Sequence, residues 1–278
     1  MGERQWKALL KRAAVERVAT GFQFTEGPTW NPKGFLYFSD IPGNTIYKMD
    51  EVGHVAVFLR PSDQANGTAL DAAGNLIVCR HHGRDVVQLT PERDVRVIAD
   101  RFEGGRFNSP NDCVVAKDGA IYFTDPSYGL GDRPKEQDCE GVYRVVPDGT
   151  VTRVIREMAG PNGLGFSPDG KTLYVADSID EKVRAYALRE DGSVADGQDF
   201  ASMKTEKEGV PDGMAVDGEG IIYCTGGGGV WVFSADGEHL GTIETPEVPA
   251  NCAFGGREGR TLYVTARNSV YRATAGKA

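Results

Sequence analysis

Cysteine is sparse and in the wrong arrangement for a disulfide framework: there are five, Cys79, Cys113, Cys139, Cys224 and Cys252, an odd number with no CxxC pair. That usage fits reduced thiols in a cytoplasm. Long apolar runs are missing too, so nothing reads as a membrane span. The N-terminus MGERQWKALLKRAA carries charge throughout and lacks the apolar core of a secretory signal. There is no basic tract, and 31 Lys and Arg stand against 40 Asp and Glu for a net charge of −9. This balance argues against nucleic acid or an anionic membrane as partner. Gly-x-Ser-x-Gly, P-loop and HExxH motifs are absent, which removes three common catalytic chemistries. The run Gly226–Gly229 has no helix N-terminus behind it to bind phosphate and reads as a flexible connection between strands.

What the chain has is a repeat. In six successive segments of about forty-five residues, a polar residue stands nine to eleven positions ahead of a β-rich run. The pairs are Glu26 with LYFSD, Asn66 with LIVCR, Asn111 with IYFTD, Asn162 with LYVAD, Asp212 with IIYCT and Asn251 with LYVTA. Asp-Gly or Gly turns punctuate each unit, the signature of propeller blades. Unit one resolves into GPTW, LYFSD, TIYKMD and HVAVFL, and unit three into NDCVVA, IYFTD, GVYRVV and TVTRVI. Four antiparallel strands per unit make a blade. The expected fold is therefore all-β, a six-bladed β-propeller forming one domain over residues 1–278. The sixth unit supplies only three strands before Ala278 and would leave an open edge. VERVAT, Val15 to Thr20, resembles the fourth strands of other units, so it is expected to close the ring beside Val270 to Ala273. Residues 1–14 read as a tail or short helix.

The first strand of a blade lies nearest the axis, so the six polar residues should converge on one mouth of the central channel. Four amides and two carboxylates there suit a hard divalent cation, with the acids balancing charge and amide oxygens completing the shell. Glu26, Asn111, Asn162 and Asp212 are the expected ligands, each opening a Gly- or Pro-flanked stretch (EGP, PND, PNG, PDG). Asn66 and Asn251 are weaker candidates, placed to hydrogen-bond a ligand or cap a strand. Asn-Gly and Asp-Gly are also common turn dipeptides. Against that reading, Glu26 is a poor turn former, and the evident turns (NPKG, AAGN, KDGA, SPDG, DGEG) come later in each unit.

The stretches FTEGPTW, RFNSPNDCVV, IYFTDPSYGL, GPNGLGFSPDGKTLYVAD, PDGMAVD, GVWVF, HLGTI and NCAFGG resemble the gluconolactonase, or senescence-marker-protein-30, family of six-bladed propellers, which also takes in luciferin-regenerating enzymes. The resemblance runs from about Val15 to the C-terminus. It implies a metal-dependent hydrolase opening a sugar lactone, with Glu26, Asn162 and Asp212 as metal ligands and Asn111 on the metal or the substrate. It further implies that Arg106 and Asn108 contact substrate. Related propellers hydrolyse organophosphate esters, the alternative reaction at such a site. A non-catalytic binding propeller is the other alternative, against which the axial carboxylates speak.

The chemistry then assigns roles. A divalent metal polarises the carbonyl while Asp212 removes a proton from water, or else attacks directly as nucleophile. Oxygen ligation favours Ca²⁺, with Zn²⁺, Mn²⁺, Mg²⁺ and Fe²⁺ also accepting such sites. Links between second and third strands should surround the same mouth. The longest, Pro126 to Glu140, carries Tyr128, Arg133 and Lys135 and is expected to act as a lid. In blade two the equivalent link offers His81 and His82 for substrate oxygen or proton transfer, and Arg106 precedes Asn111 on the way into the axial strand. Substrate contacts are expected from Arg106, Asn108, Asn111, His81, Tyr128 and Asn251. The expected partner is a small-molecule lactone, the assembly a monomer or weak homo-oligomer, the compartment the cytoplasm.

Overall fold

The runs that mark each repeat are apolar at consecutive positions because their strands are covered on both faces, a condition that removes the usual alternation. In blade one, Leu36 and Phe38 face blade six while Tyr37 faces blade two, and all three are buried. A computed structural model describes residues 5–275. Six four-stranded antiparallel sheets are present, each in sequential order and arranged as a six-bladed propeller. Blade one is Thr25–Asn31, Phe35–Asp40, Thr45–Asp50 and Val55–Leu59; blade two is Ala65–Leu70, Leu76–Arg80, Asp85–Leu89 and Val95–Ala99. Blade three is Cys113–Val115, Ile121–Asp125, Gly141–Val145 and Val151–Ile155; blade four is Pro161–Phe166, Thr172–Asp177, Lys182–Ala187 and Gln198–Ser202. Blade five is Met214–Val216, Ile222–Gly226, Gly229–Phe233 and His239–Glu244. Blade six takes Pro249–Gly255, Thr261–Ala266 and Ser269–Ala275 from the C-terminal end.

Its fourth strand comes from the other end of the chain, Ala13–Thr20, with Val15 opposite Ala273 and Ala19 opposite Val270. The closing strand is as expected but starts at Ala13. Before it stands a helix, Gln5–Arg12, whose Leu9 is buried in the core shared by blades five and six. Met1 to Glu3 and Arg4 of the expected tail lie outside the described residues. Apolar contact is divided into six clusters, one between each pair of neighbouring blades. The ring is thus held blade to blade, and the axis itself is left to polar groups.

At the axis the inner strands approach closely. Glu26, Asn66, Asn162 and Asp212 are each followed by glycine, and each glycine lies against the polar residue of the next blade. A Cβ on Gly27 would fall 2.2 Å from the Asn66 carbonyl oxygen, and one on Gly213 1.9 Å from Asn251 Cγ. In blades one, two, four and six the ladder between first and second strands is broken at this position, the kind of irregularity that re-aims a side chain. Backbone bonds stitch the strands across: Gly67 N–H to Asn111 O at 2.8 Å, Gly163 N–H to Asp212 O at 3.1 Å, Gly213 N–H to Ala250 O at 2.8 Å. The polar-Gly dipeptides are therefore close approaches at the axis, and the turn reading is set aside.

The glycine run in blade five differs from expectation. It forms a tight hairpin, Gly226 paired with Gly229, and a Cβ on Gly227 would fall 2.5 Å from Thr205 Cγ2 and 2.6 Å from the Lys207 carbonyl oxygen. It is packed under the segment entering blade five, and its small size is used for that contact.

Gly213→Ala is expected to lower stability by about 2 kcal/mol through overpacking at the axis, measured by urea unfolding. Gly218→Ala, with nothing within 4 Å of the added carbon, should stay within about 0.5 kcal/mol of the unaltered chain. Equal effects would contradict the close-approach account.

Candidate active site

Side chains of the axial set meet in pairs, Asn251 with Glu26 and Asn162 with Asp212. Glu26, Asn66, Asn111, Asn162 and Asn251 are all buried at 5 % exposure or less, while Asp212 is partly open to solvent. Three of them are aimed by a feature the sequence displayed but whose use was not read, the aspartate that ends the second strand. Asp40 accepts the N–H groups of Gln23 and Phe24 just ahead of Glu26. Asp125 accepts Asn108 N–H on the way to Asn111. Asp177 accepts Ala159 and Gly160 N–H before Asn162, and Ile179 and Asp180 N–H after itself. The recurrence of Asp in LYFSD, IYFTD and LYVAD was the available signal.

A third carboxylate belongs to the axis. Asp112 occupies the place held by glycine in four other blades and is buried at 7 % exposure. Asn251 Nδ2 donates to Glu26 Oε2 at 3.0 Å and to Asp112 Oδ2 at 3.1 Å, while its Oδ1 accepts Cys252 N–H. The expectation of two axial charges is thereby corrected to three. Asn251, expected at the substrate, spends both amide hydrogens between two acids instead. Its distance from blade three in sequence hid this pairing; the break in the polar-Gly pattern, PND where other blades read PNG or PDG, was the sign of Asp112.

All three acids are raised, Glu26 and Asp212 in part by neighbouring carboxylates. Burial, then the charge of Asp112, pushes Glu26 up to about 8 against the Gly27 N–H and Asn251 bonds that hold it down. Burial lifts Asp112 to about 6, opposed by Cys113 N–H and Asn251. Asp212 lies well above the ordinary carboxylate range through burial and the charges of Glu26 and Asp112, with Asn162 favouring its ionised form. The charges that act on Glu26 and Asp212 are all negative. Such a cluster would be relieved by a cation. Among the described residues no three His, Cys, Asp or Glu side chains are close enough to hold an ion by themselves, so a cation here depends on amide oxygens as well. Asn162 and Asn111 present them: Asn162 Nδ2 donates to Ser178 Oγ at 2.9 Å, leaving Oδ1 for a ligand, and the Asn111 main chain is fixed by Thr124 and Gly67. The mixed donor set fits a hard divalent ion.

The blade-two candidates form a wall. Asn66 Nδ2 lies 3.0 Å from His81 Nε2. Burial and Arg133 push His81 down to about 4, so the ring is neutral at neutral pH and accepts at Nε2 with its proton on Nδ1. A Cβ on Gly129 would fall 2.3 Å from the ring, so the Pro126 to Glu140 segment covers it. His82 is exposed. The segment itself is tied down at many points, which departs from a freely moving lid. Arg133 donates to the carbonyls of His81, His82, Gly129 and Leu130, Gln137 to those of Phe102, Gly105 and Arg106, and Lys135 reaches Glu140 at 3.3 Å. Arg106 ends an unforeseen hairpin, Arg101–Phe102 with Gly105–Arg106. Its guanidinium donates to Gly83 O and its N–H to Glu136. Asn108 is fully buried, donating to the Asp125 and Cys139 carbonyls. Arg106 and Asn108 thus spend some of their donors within the chain, but Arg106 Nε and Asn108 Oδ1 are buried without a partner among the described residues, while Tyr128 keeps its ring half exposed and donates its hydroxyl to Gly160 O at 3.0 Å.

Residues 24–268 match the family model described as SMP-30/Gluconolactonase/LRE-like region. The chain belongs to this family. Among its relatives are a gluconolactonase of Zymomonas mobilis, 35 % identical over 93 % of this chain and 80 % of the relative, and a pentonolactonase of Haloferax volcanii, 32 % identical over 89 % and 83 %. A solved structure of a Xanthomonas campestris gluconolactonase superposes with a TM-score of 0.91 at 34 % identity, covering 99 % of this chain and 93 % of that one. This SMP-30-family chain contains, among the described residues, no helix long and apolar enough to cross a membrane, and all five of its cysteines are free.

The raised acids carry a stability consequence. A carboxyl whose folded value lies above its unfolded one is protonated in the folded state while the unfolded state is ionised, so stability falls as pH rises between the two. For Glu26 the window runs from 4.5 to about 8, and for Asp112 from 3.8 to about 6. Chelator-treated protein is expected to lose melting temperature steadily from pH 5 to pH 8, and added divalent cation to restore it more at pH 8 than at pH 5. A flat profile in a thermal-shift series would contradict the buried acid cluster.

Proposed function

We propose that this protein is a sugar-lactone hydrolase working at the axial mouth with one divalent cation, Ca²⁺ by preference, held by Glu26, Asn162 and Asp212 and assisted by Asn111. The observation that carries this reading is the convergence of those four residues at one mouth, in a chain 35 % identical to a gluconolactonase over 93 % of its length. A bound cation supplies Lewis acidity for the lactone carbonyl. The chain supplies the rest. Asn251 and Gly27 N–H fix the Glu26 carboxylate, so that acid is a ligand and nothing more. Asp112, braced by the same amide, adds negative charge next to Glu26 and strengthens cation holding.

Asp212 is the carboxylate that opens toward the mouth, so it is the group to take the proton of attacking water as the carbonyl carbon becomes tetrahedral. Asn111 and Asn162 orient the substrate oxygen or complete the ion's shell. His81 acts by fixing Asn66, and Arg106, Asn108 and the Pro126 to Glu140 segment build the wall. The relatives named for gluconolactone and pentonolactone favour a lactone over a phosphotriester. The free thiols and net charge of −9 favour a cytoplasmic protein, monomeric or weakly self-associating.

Asp212→Asn is expected to lower kcat for an aldonolactone by at least about a hundredfold, followed with a pH indicator across added divalent metals. Asn108→Ala should instead act through stability. Full activity in Asp212→Asn would remove the proposed base, and phosphotriester turnover without lactone turnover would favour the other reaction.

A further inference from the structure

The mouth has two sides of opposite character. Toward blade two it is polar, with Asn66 and His81 behind it. Toward blades three, four and five it carries exposed apolar side chains. Tyr128 is 43 % exposed, Ile179 62 % and Val210 43 %, three of the large hydrophobic side chains that this protein leaves in solvent. They are anchored to the axial ligands rather than scattered. A Cβ on Gly160, two positions before Asn162, would fall 2.5 Å from Tyr128 Oη and 2.8 Å from Ile179 Cγ1, so both side chains lie side by side over the same bare backbone. Ser178, next to Ile179, accepts from Asn162 Nδ2 at 2.9 Å and donates to Pro211 O at 2.6 Å, the carbonyl just ahead of Asp212. Val210 lies one residue further back. The charge of Asp212 is close enough to raise Tyr128, which burial lifts to about 12.

Tyr128 has its hydroxyl turned inward to Gly160 O, so what it offers to the mouth is the ring face. Exposing such a surface beside two acids costs free energy unless a ligand covers it. A lactone ring is two-sided in the same sense, with C–H bonds on its faces and oxygens at its edge. We propose that Tyr128 and Ile179 form a specificity shelf that packs against the C–H face of the lactone ring, turning the carbonyl toward Asn162 and Asp212 and the hydroxyl edge toward blade two. This rests on the lactonase reading and names how that site selects its substrate. The shelf recognises ring carbon rather than hydroxyl pattern, so it holds hydroxylated lactones and their deoxy counterparts of the same ring size alike.

The test uses the full chain with added divalent metal and steady-state hydrolysis of an aldonolactone and of the unsubstituted lactone of the same ring size. Tyr128→Ala is expected to raise KM about tenfold for both, and Ile179→Ser about threefold, each with kcat within about twofold because the shelf does not touch the reacting atoms. Tyr128→Phe, which keeps the ring and loses the bond to Gly160, should leave KM close to that of the unaltered protein. Unchanged KM in Tyr128→Ala and Ile179→Ser would overturn the shelf, as would a Tyr128→Phe variant as impaired as Tyr128→Ala, since the hydroxyl's hold on Gly160 would then be the whole effect. An unaltered protein that hydrolyses neither lactone would overturn the hydrolase reading itself, and the shelf with it.

Discussion

The inner strands come closer together at the axis than side chains allow, and most of the molecule follows from that constraint. Glycine at 27, 67, 163 and 213 lets each strand bring its backbone against the polar residue of the next blade. The break in the ladder at that point then turns the preceding side chain inward. Six apolar clusters between blades supply the cohesion that lets the middle of the ring be polar. Closure by Ala13–Thr20 matters for the same reason, because without it blade six would present an unpaired edge and the spacing of the inner strands would not be held.

Concentrating acids where solvent is scarce is unfavourable, and the site carries that tension openly. Glu26, Asp112 and Asp212 are raised by burial, Glu26 and Asp212 also by neighbouring carboxylates, with the N–H groups of Gly27 and Cys113 and the Asn251 and Asn162 amides as partial compensation. A purely structural axis would be better filled by uncharged groups. Their arrangement suits the proposed cation, which would offset the repulsion and leave Asp212, the member partly open to solvent, to meet water. The surrounding wall is rigid by contrast. Arg133 and Gln137 tie the long blade-three link to blade two and to the Arg101–Arg106 hairpin.

The sequence was legible where a signal recurred. Blade number, strand order, the closing strand and the ring of polar residues all rest on a pattern repeated six times, which chance turns do not produce. What stayed hidden was particular to one blade. Asp112 breaks the pattern at a single position and gains meaning only beside Asn251, which lies across the ring and 139 residues away in the chain. Arg106 and Asn108 were marked by chemistry that suits oxygen atoms, and residue type could not show that part of it is spent on the carbonyls of Gly83, Asp125 and Cys139. The Gly226–Gly229 run looked loose because residue type cannot show that Thr205 and Lys207 lie on it. Second-strand aspartates were visible three times over, but their hold on the entering loops needs the third dimension.

The proposed function stands on one cation held at the axis by Glu26, Asn162 and Asp212. Calorimetric titration of chelator-treated protein with Ca²⁺ at pH 8, set against Glu26→Gln and His81→Ala, tests it directly. One ion per chain is expected for the unaltered protein, with binding lost in Glu26→Gln and kept in His81→Ala. Unchanged ion binding in Glu26→Gln, or none in the unaltered protein with Ca²⁺, Mg²⁺, Mn²⁺, Zn²⁺ or Fe²⁺, would contradict it.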